Sequence, residues 1–199
     1  MNKPFDFHTH HLDADHALIS VEPGFTPRAG AIYSVGIHPW HSAAVTEDEL
    51  RQLDADVRLD CVKAIGETGL DRLRGATLDR QTDLLLHHIA LSEELQKPVV
   101  LHIVKAFPEI IALKRRLNPT QAWIIHGFRG KPRQAEELLR HGFYLSLGEH
   151  FNPESAEIIP SGRLLVETDE SDKNISDIAA IHPHLDPTLP AKILGLQDS

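Results

Sequence analysis

The feature that most constrains the fold is an alternation of short apolar segments with amphipathic ones. Residues 61–67, 98–102 and 122–126 are almost continuously apolar, which is typical of parallel strands that are buried on both faces. Residues 77–96 and 107–117 lie between these segments and carry apolar side chains at helical spacing. The alternation therefore predicts an α/β fold in which helices cover the outer face of a parallel sheet.

The number of predicted strands points to a barrel. The strand candidates are residues 4–8, 17–21, 31–37, 61–67, 98–102, 122–126, 143–147 and 163–169. Eight parallel strands usually close into a barrel of about 250 residues, and this chain has 199 residues. The first two candidates are also too close together for a helical crossover, which takes about a dozen residues. We expect one domain, residues 1–199, folded as a compact, incomplete or distorted (β/α)8 TIM barrel whose first crossover is reduced or missing.

Composition restricts the possible environment and partners. The single cysteine, Cys61, excludes an intrachain disulfide, and no apolar run is long enough to span a membrane. We therefore expect a cytoplasmic protein without membrane contact. The formal net charge of -9 argues against a passive nucleic-acid binder, because contacts with phosphates dominate the affinity of such proteins. An acidic protein that handles phosphates needs metal ions or a few well-placed basic side chains.

Polar side chains recur where the predicted strands end. They are His8, His10, His38, Glu67, His102, His126 and Asp169. In a parallel barrel the carboxyl ends of the strands meet on one face, which is where active sites are found. A single histidine at the end of a strand is usually a packing residue, but the same event on four strands, with carboxylates on two more, is hard to explain by packing. The pattern predicts a site at this face.

The residue types at these strand ends are those of a metal site. Four histidines and two carboxylates are enough to hold two divalent ions with one carboxylate between them. Nitrogen and oxygen donors suit Zn, Mn, Fe or Co, and the lack of thiolates argues against a structural zinc. Two such ions can activate water and bind the oxygens of a phosphoryl group. No dinucleotide-binding, P-loop or nucleophile-elbow motif is present, so a hydrolase is the expected class.

The sequence also resembles a known family, the TatD-related metal-dependent deoxyribonucleases of the amidohydrolase-like barrels. The motifs that carry the resemblance are Asp-Phe-His-Thr-His at 6–10, Gly-Ile-His-Pro at 36–39, Ile-Gly-Glu-Thr-Gly-Leu-Asp at 65–71, Pro-Val-Val-Leu-His at 98–102, His-Gly-Phe-Arg-Gly at 126–130 and Glu-Thr-Asp at 167–169. They extend over most of the chain and occur in the family's order.

The resemblance implies a dinuclear site with an assigned ligand set. The implied metal ligands are His8, His10 and Asp169 for one ion, His102 and His126 for the other, and Glu67 between them. Asp169 and Glu67 are the implied catalytic residues, and Asp169 would also orient or deprotonate the attacking water. The implied cofactors are two divalent ions, Mg, Mn or Zn.

The activity implied by the resemblance is hydrolysis of phosphodiester bonds, as a 3'-5' exonuclease using a metal-activated water. Its substrate would be nucleic acid, DNA and also RNA, and we infer no obligate protein partner and a monomeric state. Three alternatives remain open from the residues alone. They are an amidohydrolase or lactonase, a phosphatase acting on a small molecule, and a metal-binding homologue without catalysis.

Other residues are candidates for contacts with the substrate or with the ligands. The family often has an arginine two residues after the histidine of its fifth strand, but this chain has Val104 there, followed by Lys105. We expect Lys105, Arg129 and His38 to contact substrate, with a solvated loop or a plain strand cap as the alternative. We expect Asp71 to hydrogen-bond a ligand histidine or to form a turn.

Overall fold

The computed structural model describes residues 3–196 and consists of a parallel sheet surrounded by helices. The predicted domain, 1–199, also includes residues 1–2 and 197–199, which lie outside the described residues. The strands are β1 (Asp6–Thr9), β2 (Ala17–Val21), β3 (Ile32–Val35), β4 (Val62–Asp71), β5 (Val99–Val104), β6 (Trp123–Ile125), β7 (Tyr144–Leu147) and β8 (Leu164–Val166). The α-helices are α1 (Glu47–Asp56), α2 (Leu78–Leu95), α3 (Phe107–Leu117), α4 (Pro132–Arg140), α5 (Pro153–Ile158), α6 (Ile175–Ala180) and α7 (Leu189–Leu194).

The strands follow one another in sequence order around a barrel. Each strand pairs in parallel with the next, from β1 to β8. A single bridge between Thr9 and Asp169 joins the first strand to the end of the last. Chain order, parallel pairing and this closure make the fold a TIM barrel, as the sequence predicts.

The first two crossovers contain no helix. Residues 10–16 connect β1 to β2 and residues 22–31 connect β2 to β3, and all of these residues lie within the part that the structure describes. The predicted loss of the first crossover is therefore confirmed. The second crossover is also reduced, and these two connections explain how a chain of 199 residues forms a barrel with eight strands.

The later crossovers keep their helices. Helix α1 begins with a capping box, in which Thr46 and Glu49 exchange side-chain and backbone hydrogen bonds, as the sequence predicts. Helix α2 follows the capping residue Thr77 and is the longest of the described helices. None of the helices within residues 3–196 is both long and apolar enough to cross a membrane.

Several predicted strand ends differ from the structure by two or more residues, and the largest difference is at the end of β4. The sequence indicated that residues 68–71 form a loop after Glu67, but β4 continues to Asp71. The strand continues because Gly69 lets β4 approach β5 very closely: a Cβ at this glycine would lie 2.0 Å from the carbonyl oxygen of His102. Glu67 therefore lies inside a strand and not at its end, and Asp71 takes the end position.

The lower half of the barrel is filled by apolar side chains. Each strand contributes one of them: Phe7, Leu18, Ile32, Ala64, Val100, Ile124, Tyr144 and Leu165. Leu189 and Leu194 of α7 pack against the same cluster. Since this end is filled, a cavity for small molecules inside the barrel is confined to the opposite end, where the strands finish.

A buried histidine connects α2 to the end of β3. His88 is fully buried; its Nδ1 donates to the carbonyl of Leu84 at 2.7 Å, and its Nε2 accepts from the backbone N–H of Ile37 at 2.9 Å. This arrangement requires a neutral imidazole, and burial lowers the pKa of His88 to about 4. The bond fixes the backbone directly before His38, one of the predicted site residues.

His88 should make the stability of the protein depend on pH. Because its pKa is lower in the folded than in the unfolded chain, the unfolded chain binds more protons between the two values, and stability falls as the pH drops through this window. We expect the wild type to lose about 2 kcal/mol more unfolding free energy than His88→Gln between about pH 7.5 and about pH 5. Burial raises the pKa of Asp6 to about 6, which acts in the opposite sense but equally in both proteins.

The measurement is urea denaturation of both proteins with a chelator present, so that metal binding does not contribute. His184→Gln, which removes an exposed imidazole, is the matched control and should follow the wild-type curve. Parallel stability curves for the wild type and His88→Gln would contradict this account of His88.

Candidate metal centre

The predicted site residues surround a cavity of about 410 Å³ at the carboxyl end of the barrel. They reach it from the interiors of β4 and β5 and from positions at or just beyond the ends of four other strands, β1, β3, β6 and β8. The predicted residues that line the cavity are His10, His38, Glu67, His102, His126 and Asp169. His8 lies beneath them, fully buried, with its ring 4.2 Å from that of His126. The structure therefore brings together all of the residues predicted to be metal ligands.

Glu67 lies at the centre of this cluster, and its two oxygens face different histidines. Oε2 is 3.3 Å from Nε2 of His8 and 3.3 Å from Nε2 of His10, both from β1 and the residue after it. The histidines around Oε1 are His38 at 2.9 Å, His102 at 3.0 Å and His126 at 2.8 Å. One carboxylate thus separates two groups of nitrogen donors.

Two glycines allow Glu67 to occupy this position inside a strand. Gly66 has a φ of +133°, and a Cβ there would lie 2.4 Å from the carbonyl oxygen of Val100. A Cβ at Gly36, directly after the neighbouring β3, would lie 2.6 Å from the carbonyl oxygen of Glu67. Both contacts are too close for any side chain, so glycine is required on each side of this segment. The register of β4 against β5 also shifts between Ile65 and Thr68.

Backbone hydrogen bonds between β1 and the residues that follow β8, a junction we call the seam, fix the position of Asp169. Its backbone N–H donates to the carbonyl of His8 at 2.9 Å, and its own carbonyl accepts from the N–H of His10 at 3.1 Å. Oδ1 lies 3.8 Å from Nε2 of His8 and 3.7 Å from Nε2 of His10. Asp6 strengthens the seam, because its buried carboxylate accepts from the backbone N–H and the hydroxyl of Thr168.

The electrostatics of the cluster are dominated by the central carboxylate. Burial alone would raise the pKa of Glu67, but the charge on His126 and the hydrogen bonds from His10, His102 and His126 outweigh it and hold this pKa well below its usual value. The hydrogen bond to Glu67 in turn raises the pKa of His10. Burial opposes the charged form of His126, but the charge of Glu67 and the hydrogen bonds to two carboxylates raise its pKa well above the usual value. The site therefore favours positive charge around Glu67.

Two further carboxylates lie next to the ring nitrogens of His126 and His102 that face away from Glu67. Glu167 is fully buried, lies 3.4 Å from Nδ1 of His126, and accepts from the backbone N–H of Gly127 at 2.6 Å. Asp71 lies 3.3 Å from Nε2 of His102, as predicted. A metal-binding histidine usually donates its second N–H to such a carboxylate, which fixes the tautomer and the ring orientation.

Sequence reasoning assigned no role to Glu167 and did not count His38 among the ligands. Glu167 was quoted only as part of a motif, although an acidic residue directly after a buried apolar strand is a signal of a paired carboxylate. His38 was expected to contact substrate, and its Nε2 lies as close to Glu67 as the predicted ligands do.

The residues present fit divalent ions. Within residues 3–196, three groups bring their donor atoms within 4.8 Å of one another: His8, His126 and Asp169; His8, His10 and Glu67; His38, Glu67 and His102. Neither ring nitrogen of the fully buried His8 makes a hydrogen bond to the described residues. A buried imidazole without partners is unfavourable, and a metal ion would satisfy it.

The two basic residues predicted to contact substrate lie outside this cavity. Lys105 is exposed, and its carbonyl accepts from Nε of Arg72 at 3.0 Å. Arg129 is also exposed and lines a neighbouring cavity of about 250 Å³, together with Glu167 and Asp169. Arg129 is thus next to the metal centre, whereas Lys105 borders neither of these cavities.

Comparison with known proteins finds metal-dependent hydrolases among the relatives of this chain. The curated relatives include the uncharacterized metal-dependent hydrolase YcfH of Escherichia coli K12, 34% identical over 71% of this chain and 56% of the relative. The 3'-5' ssDNA/RNA exonuclease TatD of Pectobacterium atrosepticum is 33% identical over 68% of this chain and 56% of its own length. The chain thus spans little more than half the length of these relatives.

Solved structures agree on the fold, and a family model agrees on the sequence. The crystal structure of YjjV, a TatD homologue from Escherichia coli K12, matches with a TM-score of 0.77 at 19% identity, over 96% of this chain and 94% of that one. A TatD-family hydrolase from Entamoeba histolytica matches with a TM-score of 0.70 at 16% identity, over 98% and 97% of the two chains. The family model for TatD-related DNases matches residues 26–185. The chain belongs to the TatD-related DNase family.

Proposed function

We propose that this chain is a divalent-metal-dependent hydrolase of phosphodiester bonds that removes nucleotides from the 3' ends of single-stranded DNA or RNA. The observation that carries the proposal is the placement of Glu67, whose two oxygens face two separate groups of histidines. A carboxylate in that position can bridge two metal ions. The exonuclease activity in the name of the Pectobacterium relative supports the choice of substrate.

In this proposal each ion has its own set of donors. His8, His10 and Asp169 hold one ion, His102 and His126 hold the other, and Glu67 bridges them. His38 adds a donor to the second set, since its Nε2 lies 2.9 Å from the same oxygen of Glu67. The ions, Mg, Mn or Zn, would lower the pKa of a water molecule and neutralise charge on the phosphoryl oxygens. One chain supplies every donor, so a single copy completes the site.

The protein groups around the ions perform the remaining tasks. Asp169 orients the attacking water and takes up its proton, because its carboxylate is partly exposed in the cavity beside His8 and His10. Glu167 and Asp71 keep His126 and His102 in fixed orientations. A preorganised site of this kind does not have to rearrange as charge develops during the reaction.

Charge at the cavity explains why metal ions are needed. Among the described residues that line it, none is a lysine or an arginine, and Glu22 and Glu170 add negative charge to the two carboxylates of the centre. A phosphodiester would be repelled from this surface without bound cations. Arg129, in the neighbouring cavity, is one candidate for a direct contact with a substrate phosphate.

A second candidate function is hydrolysis of a small phosphoester, as a phosphatase would perform it. The size of the cavity, about 410 Å³, favours this alternative, since it matches the lower range of pockets for small molecules. Both candidates use the same metal centre. They differ in whether a polynucleotide or a small phosphate ester is the preferred substrate.

The test is cleavage of a single-stranded oligonucleotide labelled at its 5' end. The protein is stripped with a chelator and then loaded separately with Mg, Mn or Zn. We expect no cleavage before loading and stepwise shortening from the 3' end afterwards. A 3'-labelled oligonucleotide, a duplex, an amide, a lactone and p-nitrophenyl phosphate serve as comparison substrates under the same conditions.

Each result has a defined meaning. Release of mononucleotides from the 3' end supports the exonuclease, and a much higher kcat/KM for p-nitrophenyl phosphate than for the oligonucleotide favours the small-molecule phosphatase. Turnover of the amide or lactone alone would refute phosphoester hydrolysis. A protein that holds two metal equivalents and hydrolyses none of these substrates would be a metal-binding homologue without catalysis.

A further inference from the structure

An exposed tryptophan stands at the wall of the metal centre. Trp40 is 43% exposed and lines the same cavity as His102 and Asp169. Other large apolar side chains within residues 3–196 are also exposed, but none of those lines this cavity. Exposure alone is ordinary for a single surface side chain, but the position of this ring beside the metal centre leaves an aromatic surface within reach of a bound ligand.

The indole is held in one orientation. Its N–H donates to Oδ2 of Asp71 at 2.6 Å, and the same oxygen lies 3.3 Å from Nε2 of His102. The ring also packs against His38 in a T-shaped arrangement, with centroids 4.7 Å apart. Trp40 is therefore fixed relative to two histidines of the metal centre, and a ligand that binds its ring is placed at a defined distance from them.

The turn that carries Trp40 is itself well fixed. Pro39–His41 forms a 3-10 helix, separated from the end of β3 by residues 36–38. The hydroxyl of Ser42 donates to the carbonyl of Pro39 and accepts from the backbone N–H of Ala76 at 2.8 Å. Preorganisation of this kind reduces the entropy that is lost when a ligand binds.

A cation completes the arrangement. The guanidinium of Arg74, an exposed residue, lies 4.2 Å from the centroid of the Trp40 ring. Trp40 is 43% exposed even with Arg74 in this position, so part of the ring surface is open to a ligand. An aromatic ring next to an arginine is a combination that binds nucleobases by stacking and phosphates by charge.

We propose that Trp40 is a substrate-binding residue that stacks on an unpaired nucleobase and so places the adjoining phosphodiester at the metal centre. Arg74, whose guanidinium lies over the Trp40 ring, adds a positive charge beside the stacked base. This inference rests on the proposed function and specifies its substrate: a nucleotide unit with an accessible base, at the end of a single strand. A base inside a duplex would not be able to reach the ring.

The test measures binding separately from turnover. The probe is a thymidine oligonucleotide with phosphorothioate linkages at its 3' end, which resist hydrolysis, and it is compared with the same probe lacking the terminal base. The chain has two tryptophans, and the other, Trp123, is fully buried. In the wild type, quenching of the protein fluorescence by the probe therefore reports on Trp40. In every variant, binding is measured by the fluorescence anisotropy of a dye at the 5' end of the probe, which needs no tryptophan.

We expect the metal-loaded wild type to bind the probe with the base about tenfold more tightly than the abasic probe. Trp40→Leu should bind the two probes equally. Trp40→Phe keeps an aromatic ring but loses the bond to Asp71, and it should retain most of the preference for the base. The matched control is Leu59→Ala, which removes an apolar side chain of similar exposure, 40%, before β4 and should behave as the wild type.

Two results would overturn the proposal. One is a wild type that does not distinguish the probes, and the other is a Trp40→Leu variant that loses affinity for both probes equally. Failure of the proposed function remains distinguishable, because a protein that cleaves no phosphoester but prefers the base still has the stacking site. A protein that cleaves oligonucleotides without any preference for the base lacks the stacking site.

Discussion

Replacing Asp169 by asparagine is expected to lower kcat for phosphodiester cleavage about a thousandfold, the scale of effect expected when a catalytic base is removed. The substitution keeps the size of the side chain and the backbone bonds that link this position to His8 and His10. It removes the negative charge, and with it the proton acceptor and one metal ligand. The loss should therefore appear mainly in kcat, with little change in the melting temperature of the metal-free protein.

Asp172→Asn is the matched control, since it removes an exposed carboxylate three residues further along the same loop. Single-turnover cleavage of the labelled oligonucleotide, with the metal content measured on the same samples, checks the prediction. A variant with wild-type kcat would show that Asp169 neither binds an essential ion nor accepts a proton.

Replacing Glu67 by glutamine is expected to abolish most of the stabilisation that the protein gains from metal ions. Saturating metal should raise the melting temperature of the wild type by about 5–10 °C, because binding to the folded state alone contributes about 3 kcal/mol at a hundredfold excess over Kd. Glutamine has only one oxygen acceptor and no charge, so it cannot bridge two ions. The shift in Glu67→Gln should therefore be less than half that of the wild type.

The measurement is thermal denaturation with and without Zn or Mn, combined with elemental analysis of the metal bound per chain. Glu136→Gln removes an exposed carboxylate on α4 and should retain the full wild-type shift. A Glu67→Gln protein with two tightly bound ions and the wild-type shift would exclude a bridging role for this residue.

The barrel and the set of converging residues could be predicted from the sequence because both depend on local patterns. Continuous apolar segments indicated the parallel strands. The small number of residues between positions 8 and 17 indicated the missing crossover. Histidines and acidic residues at strand ends indicated the site, because the carboxyl ends of parallel strands meet on one face of the barrel. These inferences needed only the order of residues along the chain.

The end of β4 was predicted wrongly because its true position depends on contacts between residues that are far apart in the sequence. Thr68 and Gly69 have the composition of a turn, and only the close approach of Gly69 to His102 shows that the strand continues. The distance from His38 to Glu67 and the contact of Glu167 with His126 likewise arise from neighbouring strands. A sequence pattern gives the face on which a side chain lies, but it does not give the distances that separate a metal ligand from its neighbour.

The seam between β1 and β8 has a further consequence for the way the molecule opens. Beyond the hydrogen bonds of Asp6 and Thr168, the described residues join these strands by one bridge at Thr9 and Asp169. An ion held by His8 and Asp169 would connect two points near the ends of the barrel sequence, much as a crosslink does. Because the ion binds the folded state alone, it opposes opening of the seam by an amount that grows with the metal concentration. Amide hydrogens along the seam should therefore exchange with solvent more slowly in the metal-loaded protein than in the metal-free protein.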